Sequence, residues 1–276
     1  IQKVFVAWAN SLKKEKIETW ISKYSFESSG EKKLGLILAG NIPLVGLHDI
    51  LSGLVSDYQL HIKPSSKDLQ LISLVIAEMK DISPEWYARI NIVDKLNDID
   101  VLIATGSNNS ARYFEYYFRD IQKIIRKNRT SIAILSEDNT EEELKALGED
   151  IFTHFGLGCR NVTKLYLPKG FDLNRFFGAI YHYQDIVNHN KYANNYDYNK
   201  AVYLMNKIEL IENGFLLLKE DEALHSPIGV LFYEFYDDLN TVKGHINKNE
   251  EDIQAIVSKE KIEKVIPFGE AQKPEL

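Results

Sequence analysis

The stretch LILAGNIPLVGL, residues 36–47, joins an apolar run to a glycine, an asparagine and a proline. It begins inside a short apolar run, Leu34 to Leu38, that is typical of a buried strand. A glycine and Asn41 interrupt the run, and Pro43 follows, which suits the first turn of a helix. The stretch therefore predicts a strand, a tight connection and a helix, with the polar amide of Asn41 just after a core strand.

The same alternation continues along the chain. Short apolar runs alternate with helical periodicity, which is typical of an open parallel sheet with crossover helices. After residue 135 a second series begins with a helix that Asn139 or Thr140 caps. The predicted strands are 34–38, 58–62, 90–93, 101–104, 131–135, 163–168, 214–220, 229–236 and 253–258; the predicted helices are 11–24, 43–55, 67–80, 108–118, 139–156 and 172–189, with a loop at 192–199.

Composition excludes several classes of protein. A net charge of −7 disfavours a nucleic-acid binder, and the one basic cluster, KIIRKNR at 123–129, is predicted to be a solvated helix end. No apolar run reaches the roughly 18 residues of a membrane span and no signal pattern opens the chain, so we expect a cytoplasmic protein. Since the chain lacks an initiator Met and ends abruptly in FGEAQKPEL, we expect terminal residues to be missing.

Cys159 is the single cysteine, so it cannot form an internal disulfide. It lies in FGLGCRN, residues 155–161, after two glycines and before Arg160. A neighbouring cation lowers the pKa of a thiol and a glycine-bounded turn gives access to a substrate, which together favour a reactive thiolate. The alternative is an inert thiol that packs as a small apolar side chain.

Two other stretches are candidate nucleotide contacts. Gly106 and Ser107 lie between a strand and a helix, where backbone N–H groups can meet a phosphate; the alternative is an ordinary turn capped by Ser107 or Asn108. The sequence KPSSK, residues 63–67, ends another strand at the edge where open α/β sheets bind ligands; the alternative is a solvated strand end. The histidines show no ligand spacing, so no metal is expected.

The order of these motifs resembles that of the aldehyde dehydrogenase superfamily across most of the chain. The amino-acid sequence of the motifs is most similar to that of the acyl-CoA reductases of the LuxC type. The similar stretches are GLILAGNIPLVGLHDILSGL, IATGSNNSARYFEYYF, IIRKNRTSIAIL, FGLGCRNV and GFLLLKEDEALHSPI. The resemblance implies an aldehyde dehydrogenase-like α/β fold, with a Rossmann-type NADPH-binding domain in residues 1–129 and an α/β catalytic domain in residues 130–276.

The resemblance also implies residue roles. Cys159 matches the nucleophile that takes the acyl group as a thioester, and Asn41 matches the amide that forms an oxyanion hole with the nucleophile's backbone N–H. Lys63 matches the lysine on the cofactor ribose, while Gly106 and Ser107 match the turn against the cofactor phosphates. The remaining expected cofactor contacts are Ser65, Ser66, Lys67 and Glu222.

Three positions qualify the resemblance. NAD-using relatives carry an acidic residue three positions after the lysine, whereas Ser66 is neutral here and Lys67 follows it, which favours NADPH. Residues 121–136 hold no carboxylate at the place of the hydrolytic base, which suits a thioester that is reduced. The glutamate that holds the nicotinamide ribose aligns with Ala223, and Glu222 is one residue away.

The implied activity is NADPH-dependent reduction of a fatty acyl-CoA to the fatty aldehyde through a Cys159 acyl-enzyme. The expected partners are the fatty acyl-CoA, an acyl-transferring or acyl-activating protein, and further copies of the chain in a homo-oligomer, with no nucleic acid and no membrane span. Two alternatives stay open: an acyl-phosphate reductase of the glutamyl phosphate type, and a nucleotide-binding scaffold whose cysteine is structural.

Overall fold

The computed structural model describes residues 2–26, 30–274 and 276. The chain divides into two compact units, one ending at Asn128 and the other running from Arg129 to Pro274. Each unit is built on its own sheet, and the predicted α/β class with parallel strands is confirmed. None of the helices in the described part of the chain is long and apolar enough to cross a membrane.

The first unit holds a five-stranded sheet in the order β3-β2-β1-β4-β5, and all its strand pairs are parallel. Apolar side chains of β1 and β2 pack with one face of α3 and of α4 to form its main core. The strands are β1 Lys33–Ile37, β2 Gln59–Lys63, β3 Ile90–Ile92, β4 Val101–Thr105 and β5 Gln122–Arg126; the helices are α1 Gln2–Ser11, α2 Lys14–Ile21, α3 Leu47–Val55, α4 Leu69–Ile82, α5 Pro84–Ala88 and α6 Asn108–Tyr117.

The second unit holds a seven-stranded sheet in the order β12-β11-β6-β7-β10-β9-β8, parallel except for the β8–β9 pair. The strands are β6 Thr130–Ile134, β7 Val162–Pro168, β8 Ile211–Glu212, β9 Leu217–Glu220, β10 Val230–Tyr236, β11 Ile253–Val257 and β12 Val265–Ile266. The helices are α7 Glu141–Phe152, α8 Leu173–Ile180, α9 Asn190–Met205 and α10 Leu239–Lys248, with 3₁₀ turns at Thr153–Gly156, Tyr181–Asn188 and Glu250–Asp252.

Both faces of this second sheet are covered. Successive residues of β6 enter different cores: Ala133 packs with side chains from α7, α8 and α9, whereas Ile132 and Ile134 pack with α10. A parallel strand buried on both faces reads as a continuous apolar run, which is why this strand was predictable. All five residues of β6 are buried.

Four predicted elements differ from the structure. The helix predicted at 11–24 is the shorter α2, which starts at Lys14, and a separate helix that was not predicted, α1, precedes it and ends at Ser11. The helix predicted from Pro43 begins at Leu47, because residues 43–46 form a turn first. The helix predicted at 139–156 ends at Phe152, and the one at 172–189 becomes a 3₁₀ helix after Ile180.

Two polar segments were assigned wrongly. The predicted loop at 192–199 lies inside α9, where Tyr192, Tyr196 and Asn199 bury one helical face behind polar neighbours. The basic run predicted to be a helix end mostly forms β5, an edge strand whose residues alternate between exposed and partly buried. The buried face of α9 is aromatic and polar, and no residue of β5 is fully buried, so neither period stands out in the sequence.

Candidate active site

The first unit gathers three of the predicted site segments at one edge of its sheet. β1 lies between β2 and β4, and all three strands are parallel, so the connections that follow them start at the same edge. Asn41 lies in the connection after β1 and Gly106 in the one after β4, while Lys63 is the last residue of β2. The strand order reverses between β1 and β4, and open α/β sheets bind ligands in the crevice at such a reversal.

Asn41 is exposed, in a connection whose backbone is fixed by its neighbours. Leu44 has a left-handed backbone with φ of 55° and is buried, and its N–H donates to Asp68 Oδ2 at 2.9 Å. Burial raises the pKa of Asp68. A Cβ on Gly40 would lie 2.5 Å from the Cβ and Oγ of Ser65. The Asn41 connection therefore packs tightly against the connection after β2, and only glycine fits at position 40.

Lys63 ends β2, and its Nζ donates to the carbonyl of Asp94 at 2.5 Å. The following residues form a turn in which the Asp68 N–H donates to the Ser65 carbonyl at 3.1 Å. Ser66 and Lys67 are the two central residues of that turn, and both are exposed. Asp68, and neither of these two, occupies the N-cap position of α4.

Gly106 and Ser107 connect β4 to α6. The Gly106 N–H donates to the carbonyl of Arg126 at 3.1 Å, and a Cβ at position 106 would lie 3.0 Å from Phe114. Ser107 is the N-cap of α6, as one alternative predicted, and its Oγ accepts the Ser110 N–H at 3.1 Å. The first backbone N–H groups of a helix have no intrahelical acceptor and attract anions. The turn can thus cap the helix and still contact a phosphate.

Cys159 lies at the corner of a closed turn in the second unit, just before β7. The backbone N–H of Asn161 donates to the Gly158 carbonyl at 3.0 Å, and the Gly158 N–H donates to Asn161 Oδ1 at 2.7 Å. Ser131 Oγ donates to the carbonyl of Cys159 at 3.1 Å. The backbone is therefore bonded on both sides of the cysteine, while the Cys159 residue itself is exposed.

Burial and the neighbouring charges shift the pKa of the Cys159 thiol in opposite directions. Desolvation by the surrounding protein raises the pKa of the Cys159 thiol, and the Arg160 and Arg129 guanidinium groups lower it less. The net direction is upward, contrary to the expectation that the neighbouring cation makes the thiol unusually acidic. In this structure, then, the exposed Cys159 is mostly a thiol at neutral pH.

Arg160 connects the cysteine turn to a segment near the end of the second unit. Its Nη1 donates to the carbonyl of Ala271 at 3.2 Å. Asp150, on α7, accepts the Gly269 N–H at 2.7 Å and the Ala271 N–H at 2.9 Å. Burial raises the pKa of Asp150 to about 6 despite these two hydrogen bonds.

Glu222 lies in an exposed loop that follows β9. Residues of β7 close to Cys159 hold this loop: Thr163 Oγ1 donates to the Leu224 carbonyl at 2.7 Å, and the buried Lys164 donates to the Asp221 carbonyl. Lys164 Nζ also forms an ion pair with Glu234 at 2.6 Å. The loop is thus bonded to the strand that follows the cysteine turn. Both Glu222 and Ala223 are exposed in it.

Three residues of this arrangement escaped the sequence analysis: Asp68, Asp150 and Asn161. Each is a buried polar residue that binds backbone groups at a turn, and none was assigned a role from the sequence. Asn161 is the last residue of the quoted stretch FGLGCRN, and Asp68 follows KPSSK, but these positions in the sequence do not reveal burial. Within residues 2–26, 30–274 and 276, no group of three or more His, Cys, Asp or Glu side chains is arranged to hold a metal ion.

A family model described as acyl-CoA reductase (LuxC) matches residues 19–174, which is more than half of the chain. The match includes Asn41, Lys63, Gly106 and Cys159, and it ends before Glu222. A search of curated proteins found no match.

Solved aldehyde dehydrogenases share the fold. The Mycobacterium tuberculosis enzyme complexed with NAD+ is 16% identical, with a TM-score of 0.63 over 84% of this chain and 57% of its own. KauB from Pseudomonas aeruginosa is 15% identical, with a TM-score of 0.68 over 94% and 64%. The P. syringae indole-3-acetaldehyde dehydrogenase AldA in complex with NAD+ and IAA is 13% identical, with a TM-score of 0.67 over 90% and 62%. This chain spans less than two thirds of each structure.

Proposed function

Because this chain belongs to the LuxC acyl-CoA reductase family, we propose that it reduces a fatty acyl-CoA to the fatty aldehyde through an acyl-enzyme on Cys159. The observation that carries the proposal is the family match, which includes an exposed cysteine at the corner of a closed turn. The second unit would supply the nucleophile and the first unit would hold the cofactor.

In the first step the Cys159 thiolate attacks the carbonyl carbon of the acyl thioester. The carbon–sulfur bond to CoA then breaks and CoA leaves as a thiolate, so the acyl group stays on Cys159. The amide N–H of Asn41 and the backbone N–H of Cys159 would donate to the carbonyl oxygen while it carries negative charge. When the aldehyde is released, the bond to Cys159 breaks and the thiolate returns.

The residues of the first unit fit a dinucleotide with a 2′-phosphate. The N-terminal turn of α6 offers backbone N–H groups to a pyrophosphate, and Lys63 ends β2 at the same edge of the sheet. Ser66 and Lys67 are exposed and available to a 2′-phosphate, with no carboxylate at either position. We therefore propose NADPH, which when bound supplies the hydride that brings the acyl group to the aldehyde level. Two of the similar dehydrogenases described above were solved with NAD+.

The absence of a carboxylate in β6 supports reduction over hydrolysis. All five residues of this strand are buried and none is Asp or Glu. A general base must reach the attacking water, and hydrolytic relatives are expected to carry theirs just before this strand, yet residues 121–136 hold no carboxylate. A thioester on Cys159 would therefore persist long enough to be reduced.

The test is to supply the chain with a long-chain acyl-CoA and NADPH carrying deuterium at the transferable position. The proposal expects an aldehyde that contains one deuterium, and no aldehyde with Cys159→Ala. An acyl phosphate serves as the comparison substrate. Aldehyde formed from the acyl phosphate alone would contradict the acyl-CoA assignment, and aldehyde formed by Cys159→Ala would contradict the acyl-enzyme.

A further inference from the structure

We propose that Asn161 is the positioning residue of Cys159: its side-chain amide fixes the turn from which the thiolate attacks. This inference rests on the proposed function, since it assigns a role in presenting the nucleophile to the acyl group. Asn161 itself would not touch substrate or cofactor, because its residue is completely buried.

The amide of Asn161 joins two elements that lie on either side of it. Its Oδ1 accepts the Gly158 N–H at 2.7 Å, directly before the cysteine. Its Nδ2 donates to the carbonyls of Asp150 at 3.1 Å, Ile151 at 3.0 Å and Thr153 at 2.8 Å. These carbonyls belong to the last turn and C-cap of α7, where no intrahelical N–H is left to donate to them. The amide thus ties the cysteine turn to the end of a helix.

This arrangement fixes the direction of the cysteine. Gly158 and Asn161 are the first and last residues of the turn, and their reciprocal hydrogen bonds close it around Cys159 and Arg160. Ser131 holds the Cys159 carbonyl at 3.1 Å, so the backbone is anchored at the nucleophile itself. Rotation about the side-chain torsion is then the main freedom left to the thiolate. Attack on a bound carbonyl is sensitive to misplacement of about 1 Å.

Burial makes the arrangement rigid. A buried amide is costly unless its donors and acceptor all have partners, so the turn and the helix end hold one relative geometry. An apolar residue at position 161 would leave the Gly158 N–H and the α7 carbonyls without this partner. The turn would then shift or loosen, and Cys159 would move with it.

The experiment uses the single cysteine to separate position from reactivity. Alkylation of Cys159 by iodoacetamide requires a thiolate but no bound geometry, whereas acylation by a saturating acyl-CoA requires both. Both rates are followed by intact mass as a function of pH, and the limiting rates at high pH are compared, so a change in thiol pKa does not enter. The variants are Asn161→Ala and the matched control Asn139→Ala.

Asn139 is a suitable control because it is also a buried amide that accepts a backbone N–H at 2.7 Å, from Ser136, and it lies before the opposite end of α7. The inference expects Asn161→Ala to lose about 10- to 100-fold in limiting acylation rate, with alkylation within roughly threefold of wild type. Asn139→Ala should keep both rates within roughly threefold. If Asn161→Ala does not fold, Asn161→Asp replaces it, since it keeps an acceptor for Gly158 and loses the donors to α7; a loss of about tenfold is expected.

Equal acylation by wild type and the folded Asn161 variant would overturn the inference while leaving the proposed function intact. A parallel loss of alkylation and acylation in the Asn161 variant would also overturn it, because that result would indicate a general disruption of the structure around Cys159. A wild type that acyl-CoA does not acylate would overturn the proposed function and this inference together.

Discussion

The carboxylate of Asp150 accepts the backbone N–H of Ala271 at 2.9 Å, and it does so while completely buried. The Ala271 carbonyl in turn accepts a hydrogen bond from Arg160, the neighbour of Cys159. An ionised Asp150 is thus retained in a setting that penalises its charge, next to the segment that holds Arg160. From this burial we expect the stability of the second unit to depend on pH.

We predict that Asp150 contributes less to stability as pH rises. Its pKa is raised from 3.8 to about 6, so the folded state binds the proton more tightly than the unfolded state. The contribution is complete below the unfolded pKa and is lost as pH rises through about 6. The difference corresponds to about 3 kcal/mol of unfolding free energy.

Asp150→Asn isolates this effect. The variant cannot ionise at this position. Its stability relative to wild type, measured as the difference in free energy of unfolding, should therefore increase from about pH 4 to about pH 7. Loss of one of the two oxygen acceptors shifts the curve by a constant amount, since an amide has a single oxygen. Urea unfolding at several pH values measures the difference, and parallel curves for the two proteins would show that Asp150 is not the titrating group.

The reactivity of Cys159 should rise steadily with pH. Because the pKa of its thiol is above the usual value, the thiolate fraction increases about tenfold for each pH unit below that pKa. Iodoacetamide alkylation of the free chain should follow this increase through neutral pH. Arg160→Ala removes the largest lowering influence and should move the profile to higher pH. A rate that is already constant between about pH 6 and 8 would mean a preformed thiolate.

Asn41→Ala should slow acylation and reduction by about 10²- to 10³-fold, the usual loss for one oxyanion donor. The melting temperature should change little, since Asn41 is exposed and its removal leaves no buried cavity. Asn97→Ala, an exposed amide in the same unit, is the control and should keep wild-type rates. A variant that melts much earlier at unchanged activity would make Asn41 a structural residue.

The chain should prefer NADPH to NADH, because Ser66 and Lys67 can receive a 2′-phosphate. In Ser66→Glu the new carboxylate repels that phosphate and can bind the ribose hydroxyls, so the preference should move toward NADH. The ratio of kcat/KM for the two cofactors measures this, with Ser22→Glu as a charge control in the same unit. A wild type that favours NADH, or an unchanged ratio in Ser66→Glu, would show that Ser66 and Lys67 do not determine the cofactor preference.

The fold was predictable where local pattern and burial agree. The strands around Leu34–Leu38 and 131–135 are apolar runs buried in parallel sheets. Glycine and helix-cap residues in the connections next to these strands indicate where the following elements begin. The cap residue Thr140 is confirmed, and its Oγ1 accepts the Glu143 N–H at 3.1 Å. Helix α9 was missed because Tyr192 and Tyr196 form its buried face among polar residues.

The site was predictable only in its motif residues. Cys159, Asn41 and the KPSSK segment stand out by glycine, proline or charge in the sequence, and their roles stay predictions. The groups that hold them, Asp68 and Asn161, act through single hydrogen bonds to backbone atoms of other segments. Such a bond depends on which turns come together in three dimensions. The spacing of apolar residues along the sequence does not indicate it.

Whether Cys159 carries the acyl group is measured by the intact mass of the chain after mixing with a long-chain acyl-CoA, without NADPH. Cys159 is the only thiol, so a thioester has one place to form. We predict a mass gain of one acyl group in wild type, its release by hydroxylamine, and no gain in Cys159→Ala. An unmodified wild type under conditions where Cys159 is alkylated by iodoacetamide, or an acyl adduct that persists in Cys159→Ala, would contradict it.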